Sequence, residues 1–186
     1  MTVQLSLATA VVLVAALVAA VTDLTRFKVY NLLTLPLLAA GLIYHAWDGG
    51  TAGLAMSAAG MFLGAGVLLV FYLMGGMGAG DVKLMAALGA WLGLPAVFYV
   101  FVISALAAGV YALVLMAVCG SSREIVVNLQ IIWHRVAAVG RSLGSEDRVE
   151  QEVRRSDRRR RVIPFAAMIA IGVVALIVMS WLMGGQ

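Results

Sequence analysis

Two of the nine acidic residues stand where the surrounding sequence is otherwise too apolar to hold a charge. Asp23 follows residues 1 to 22, and Asp81 follows residues 49 to 80, two stretches without a Lys, Arg, Asp or Glu. Of the others, six lie among arginines between residues 123 and 161, and Asp48 sits in the turn-like HAWDGG. An ionisable group at membrane depth is costly and marks a functional candidate. Two carboxylates brought close together cannot both ionise, so such a pair holds one proton between them, one group serving as general base and the other as general acid. That is the chemistry of hydrolysis by an activated water. A second reading stays open on the residues alone. Asp23 flanks a helix end beside Arg26 and Lys28, and Asp81 caps the start of the next helix, where a carboxylate is favoured.

The elements that must position these acids follow from composition. With 63% hydrophobic and 12% charged residues, the chain lies far from a soluble domain, in which about 25% of residues are charged. Its solvent is lipid. A single cysteine, Cys119, excludes a disulfide framework or a cysteine zinc cluster built by this chain alone. Uncharged windows cover residues 1–22, 29–47, 49–80, 84–122 and 162–186. About 20 apolar residues suffice to cross a bilayer. The window 84–122 would make one helix of roughly 58 Å, so it is expected to break at Gly93-Leu94-Pro95. The expectation is an all-α membrane protein of six transmembrane helices, with 1–186 a single membrane-embedded domain.

The basic residues test that count independently. Six helices put Arg26, Lys28, Lys83 and every Arg from 123 to 161 on one side, which accounts for all 13 Lys and Arg. Such asymmetry assigns that side to the cytoplasm and both termini to the outside. Residues 1–22 lack a positive leading region, so they read as a retained helix rather than a cleaved signal.

Residues 120–161 form a cytoplasmic or interfacial loop between the fifth and sixth helices. Within it, Ile125, Leu129, Ile132, Val136 and Val139 repeat at helical spacing, which predicts an amphipathic helix on the inner leaflet with Trp133 at headgroup level. The run Arg158 to Arg161 directly before the last helix reads as an anchor to anionic lipid. Nucleic-acid binding is not needed to explain it.

Asp81 is expected below the membrane surface. Residues 81 to 93 cover only about 20 Å of a roughly 30 Å hydrocarbon layer. Gly75, Gly76, Gly78 and Gly80 precede the acid. Irregular backbone at that depth survives only against protein or a water-filled cavity, and a hydrolytic site requires the latter.

The segment GAGDVKLM resembles the G-x-G-D-x-K-L/M signature of the type IV prepilin peptidases. TDLTRFKVYN is similar to that family's other aspartate motif, with an acid ending the first helix, then basic residues, then Asn. RVIPFAAMIAIG is like the proline-containing start of its last helix. Two departures are Tyr30, where the family usually has Pro before the Asn, and Ala167, where members often carry Pro. The resemblance implies that Asp23 and Asp81 are the catalytic pair of an aspartic endopeptidase. Lys83 is then a loop-orienting or substrate-binding group, Asn31 and Pro164 shape the site, and Gly78 and Gly80 let the loop approach the substrate strand.

By the same resemblance the substrate is a prepilin, a hydrophobic helix preceded by a short basic leader, cut at the junction on the cytoplasmic face of the inner membrane. With 22 residues before Asp23 and no paired cysteines, the chain is similar to short Flp/Tad-type peptidases, and cleavage without methyl transfer is expected, with no cofactor and no metal. Two other readings differ in kind: a presenilin-like or signal-peptide-peptidase-like protease cutting within helices, and a non-enzymatic membrane subunit. The sequence does not specify an oligomeric state.

Overall fold

The computed structural model describes residues 7–26, 28–73, 77–119 and 165–184, all of whose regular structure is helical. The helices are α1 (Leu7–Arg26), α2 (Asn31–Leu73), α3 (Ala79–Leu92), α4 (Leu94–Cys119) and α5 (Phe165–Gly184). Among the described residues, α1, α2, α4 and α5 are long and apolar enough to cross a membrane. The chain is a multi-pass, all-α membrane protein. The amphipathic helix expected within 125–139, the rest of the loop 120–161, and Pro164 lie outside the described residues.

The 43 residues of α2 are not one rod. Gly50 leaves helical geometry at φ 59°, ψ −141°, a region that a residue with a Cβ enters only with strain. The chain doubles back there: Gly53 lies so close to the His45 carbonyl that a side chain at 53 would collide with it. The residues before and after Gly50 thus form two arms of a hairpin. The turn falls where HAWDGG places it.

Helix α3 lies between these arms. From the first arm, the Leu37 carbonyl accepts the Trp91 indole N–H at 2.7 Å, and Tyr44 stacks on the Trp91 ring. On the second arm, Ser57 donates its hydroxyl to the Ala90 carbonyl at 2.6 Å. Gly60 and Gly89 meet backbone to backbone, with no room for a Cβ on either. Small residues at a helix crossing allow this approach, and van der Waals packing then replaces the hydrophobic drive that lipid does not supply.

The break between α3 and α4 falls at Gly93 (φ 75°), as expected from Gly93-Leu94-Pro95. Pro95 sits in the first turn of α4, where its missing N–H has no helical partner to lose. At 14 residues, α3 is roughly 21 Å long, too short to span the hydrocarbon layer unaided.

Helix α5 packs against both α1 and α4. The core brings together Val12, Ala16 and Ala19 of α1, Leu84 and Leu88 of α3, Val100 of α4, and Ile169 and Val173 of α5. The outer surface is apolar too: Trp47 is 91% exposed and Trp181 76%. Both tryptophans lie toward the far ends of helices that begin beside the acids, a position suited to a membrane interface.

Candidate active site

Helical periodicity turns Asp23 inward. Val12, Ala16, Ala19 and Asp23 follow one another at spacings of four, three and four residues, so the acid continues the buried stripe of α1. The helix runs on past it to Arg26, which places Asp23 inside the last turn rather than after the helix. It is one of the buried polar residues of the protein. Its Oδ2 accepts the backbone N–H of Ala166, in the first turn of α5, at 3.1 Å. The first amides of a helix have no partner within it, and the positive end of the helix dipole favours an anion there.

Asp81 occupies the first turn of α3. Gly78, in extended conformation at φ −80°, ψ 145°, precedes that turn as its cap. The Asp81 N–H donates to the Gly78 carbonyl at 3.2 Å, while the Asp81 carboxylate reaches back to accept the Gly78 N–H. This is the acidic half of a capping box. Gly80 packs on Val29 of the α1–α2 connector: a Cβ there would lie 3.0 Å from the Val29 Cβ. The space left by its missing side chain is filled by this chain.

The two acids are electrostatic neighbours, since the charge of Asp23 acts on Asp81. Each therefore sits at a helix N-terminus, Asp81 at that of its own helix and Asp23 at that of α5. Each accepts one backbone N–H, and a carboxylate offers about four acceptor positions. Among the described residues, capacity remains on both for a water or a substrate group. The capping role and the paired-carboxylate role, alternatives on the sequence, are thus compatible in one geometry.

Around the pair, Lys83 donates Nζ to Asn31 Oδ1 at 2.9 Å, tying the start of α3 to the start of α2. Arg26 donates to the Tyr30 hydroxyl at 3.0 Å, and the Tyr30 carbonyl accepts the Leu33 and Thr34 N–H groups. Tyr30 thus holds the α1–α2 connector from both its ends. The end of α1 and the starts of α2, α3 and α5 converge here, with Arg26, Lys28 and Lys83 all at these helix ends. Asp23, Asp81, Asn31, Lys83, Gly78 and Gly80 are brought to one end of the bundle.

Sequence reasoning missed the amide of Ala166. A proline just before a helix hints at a free first turn in need of an acceptor, but nothing local names Asp23 as that acceptor. The inward turn of Asp23 was available in the spacing from Val12 onward.

A family model described as the type IV leader peptidase family matches residues 10–113, more than half of the chain and the part that holds both acids. The chain belongs to the type IV leader peptidase family. Among curated relatives, the prepilin leader peptidase/N-methyltransferase of Aeromonas salmonicida (strain A449) is 40% identical over 98 residues, covering 49% of this chain and 33% of the relative. That of Aeromonas hydrophila is 43% identical over 91 residues, covering 45% and 31%. That of Burkholderia pseudomallei (strain 1026b) is 44% identical over 89 residues, covering 44% and 28%. The match thus spans about a third of the length of these relatives. No solved structure matches the chain. Helix α5, which supplies the Asp23 partner, lies beyond the segment matched by the leader peptidase model.

Proposed function

We propose that this chain is a membrane aspartic endopeptidase that removes the short basic leader of Flp-like prepilins. The observation that carries the reading is that Asp23, at the end of α1 beside the start of α5, and Asp81, in the first turn of α3, stand at one end of the bundle, within the segment matched by the leader peptidase model. One carboxylate takes a proton from a water whose oxygen attacks the scissile carbonyl, while the other gives its proton to the carbonyl oxygen. The tetrahedral diol then collapses: its C–N bond breaks, the amine leaves with a proton from the first carboxyl group, and one diol hydroxyl returns its proton to the second carboxylate as the product carbonyl forms. The pair returns with one proton between them.

In this reading Lys83 and Asn31 fix the start of α3 relative to α2, and so hold Asp81 toward Asp23. Gly78 serves as the cap whose N–H orients Asp81, and Pro164 shapes the start of α5. Counting the arms of α2 separately and including the short α3 gives six helical segments in the bilayer. Both termini then lie outside, with the acids at the cytoplasmic face of the inner membrane. The basic residues of the connector and of 123–161 support that orientation. The anionic inner leaflet is the lipid partner of Arg158 to Arg161. The reaction proposed is hydrolysis alone, without methyl transfer.

The test is incubation of a Flp-type prepilin with the protein and with its Asp23→Asn and Asp81→Asn forms, in lipid. The unmodified protein releases the leader, and mass analysis of the product shows an unmethylated N-terminus. Each variant is expected to lose activity by about 10²- to 10⁴-fold, the contribution of a positioned acid or base. Cleavage retained in either variant removes the pair from the mechanism. Cleavage deep inside the substrate helix would favour the presenilin-like alternative instead.

A further inference from the structure

The two acids stand on differently packed groups of helices. Asp81 belongs to α3, which the two arms of α2 grip along its length, while Asp23 belongs to α1, whose main partner is α5. Contacts of α1 with α2 and with α3 are sparse by comparison. Packing therefore fixes Asp81 relative to α2 and Asp23 relative to α5, and holds the two groups to one another less firmly. Side-chain bonds at the acid end bridge what packing leaves slack.

Two of these bonds cross the seam in series. Arg26, in the last turn of α1, donates Nη1 to the Tyr30 hydroxyl at 3.0 Å, and Lys83, near the start of α3, donates Nζ to Asn31 Oδ1 at 2.9 Å. Tyr30 and Asn31 are neighbours in the chain, so the bonds join α1 to α3 through the start of α2. The Tyr30 carbonyl accepts the Leu33 and Thr34 N–H groups, which makes this residue the cap of α2 and ties its phenol to the end of that helix.

The acids are close to both bonds along the chain. Asp23 stands three residues before Arg26, roughly 4.5 Å of helix axis, and Asp81 stands two residues before Lys83. On the inner side of the connector, Val29 lies against Gly80, the residue next to Asp81, where a Cβ would come 3.0 Å from the Val29 Cβ. The connector is thus held from within by Val29 and from outside by the Arg26–Tyr30 bond.

We infer that Arg26 and Tyr30 are positioning residues for the acid pair, bracing the helix of Asp23 against the helices that hold Asp81. This rests on the proteolytic reading above. The Lys83–Asn31 tie reaches from α3 only to α2, and the Arg26–Tyr30 bond carries it across the remaining gap to α1. Two carboxylates acting on one water tolerate little misplacement, since a shift of about 1 Å costs up to about 10²-fold in rate. An exposed hydrogen bond restrains the seam without fixing it, so its loss is expected to cost less than that. The brace touches no reacting atom, and its effect falls on kcat.

Two measurements on the full chain in lipid vesicles test this. The first reads distance. Spin labels on Leu24→Cys and Leu32→Cys, exposed positions on α1 and α2, report the separation of these helices at the acid end in a Cys119→Ser background. Tyr30→Phe, which removes only the hydroxyl, and Arg26→Met, which keeps an apolar stem, are each expected to broaden the distance distribution. Lys28→Met takes a charge from the same connector without breaking either bond, and is expected to leave the distribution as it was. An unchanged distribution in both brace variants overturns the proposal. The second reads turnover of a Flp-type prepilin. Tyr30→Phe and Arg26→Met are each expected to lower kcat about three- to fivefold, with KM and thermal unfolding nearly unchanged. The double variant is expected to lose no more than either alone, because both changes remove the same bond. Additive losses, an equal loss in Lys28→Met, or an intact kcat in both brace variants overturns the positioning role. If the unmodified protein cleaves no prepilin while the brace variants broaden the distribution, the proteolytic reading fails and the brace stands.

Discussion

The two ends of the short helix α3 carry polar groups into an apolar bundle in different ways. At its C-terminal end, the Trp91 indole donates to the Leu37 carbonyl, His45 Nε2 is bonded to the Trp91 carbonyl at 2.9 Å, and Ser57 donates to the Ala90 carbonyl. Each of these side chains meets a main-chain carbonyl, and Trp91 is 6% exposed. Such a cluster is a joint. It holds α3 against both arms of α2 and leaves a substrate little to bind. At the N-terminal end, Asp81 and Asp23 each accept a single backbone N–H among the described residues and lie within electrostatic reach of one another, while Lys83 and Asn31 bond side chain to side chain. Acceptor capacity is left over on both carboxylates among the described residues. Polar groups at membrane depth become a joint when the fold uses up their bonding capacity, and a candidate site when it does not.

The contrast is broken most directly by exchanging one residue at each end. Asp81→Asn is expected to abolish prepilin cleavage, by about 10³-fold, while leaving thermal unfolding in detergent nearly unchanged. Trp91→Ala is expected to do the reverse. It costs about 3 kcal/mol or more of stability through the lost ring and the cavity, with kcat preserved in the folded fraction. If Trp91→Ala lowered kcat as much as Asp81→Asn does, the two ends would be one functional unit and the distinction would collapse.

A smaller effect sharpens the account of Asp23. Ala166→Pro removes the N–H that the carboxylate accepts but no intrahelical hydrogen bond, because first-turn amides have none. Losing a hydrogen bond to a charged group is expected to lower cleavage about tenfold. Ala167→Pro, which keeps the Ala166 amide, serves as control, and equal losses in the two variants would reduce the effect to backbone disturbance. Lys83→Met comes next. It removes the bond to Asn31 and is expected to lower cleavage only a few-fold, about 1 kcal/mol, measurable in the same assay. The smallest effect is expected at Thr34. Its buried hydroxyl has no hydrogen-bond partner among the described residues, so Thr34→Val should raise the unfolding temperature slightly with cleavage unchanged.

Much of the candidate site was legible because it is written in local chemistry. A lone acid in an uncharged window stands out against lipid whatever the fold, and the glycines before Asp81 announce a break in the helix. The reversal at Gly50 and the break at Gly93 were expected from HAWDGG and from Gly93-Leu94-Pro95, since a glycine at positive φ is a local requirement. The Asp23 partner was not legible. Ala166 is 143 residues away and offers only a main-chain amide, which every non-proline residue possesses. The same holds at Gly80, where the sequence suggested room for a substrate strand and the structure places Val29.

The sequence by itself determined the solvent, the family, the two acids of the candidate site and the places where the helices turn. Each of these depends on composition, on a short motif or on the allowed geometry of one residue. Tertiary structure alone decided that α3 lies between the arms of α2, that Gly60 meets Gly89, and that α5 begins at the carboxylate of Asp23. The physical reason is that glycine, alanine and backbone amides pack or bond equally well with many partners. They carry no address of their own, and which of them meet is settled only when all the helices compete for the same space.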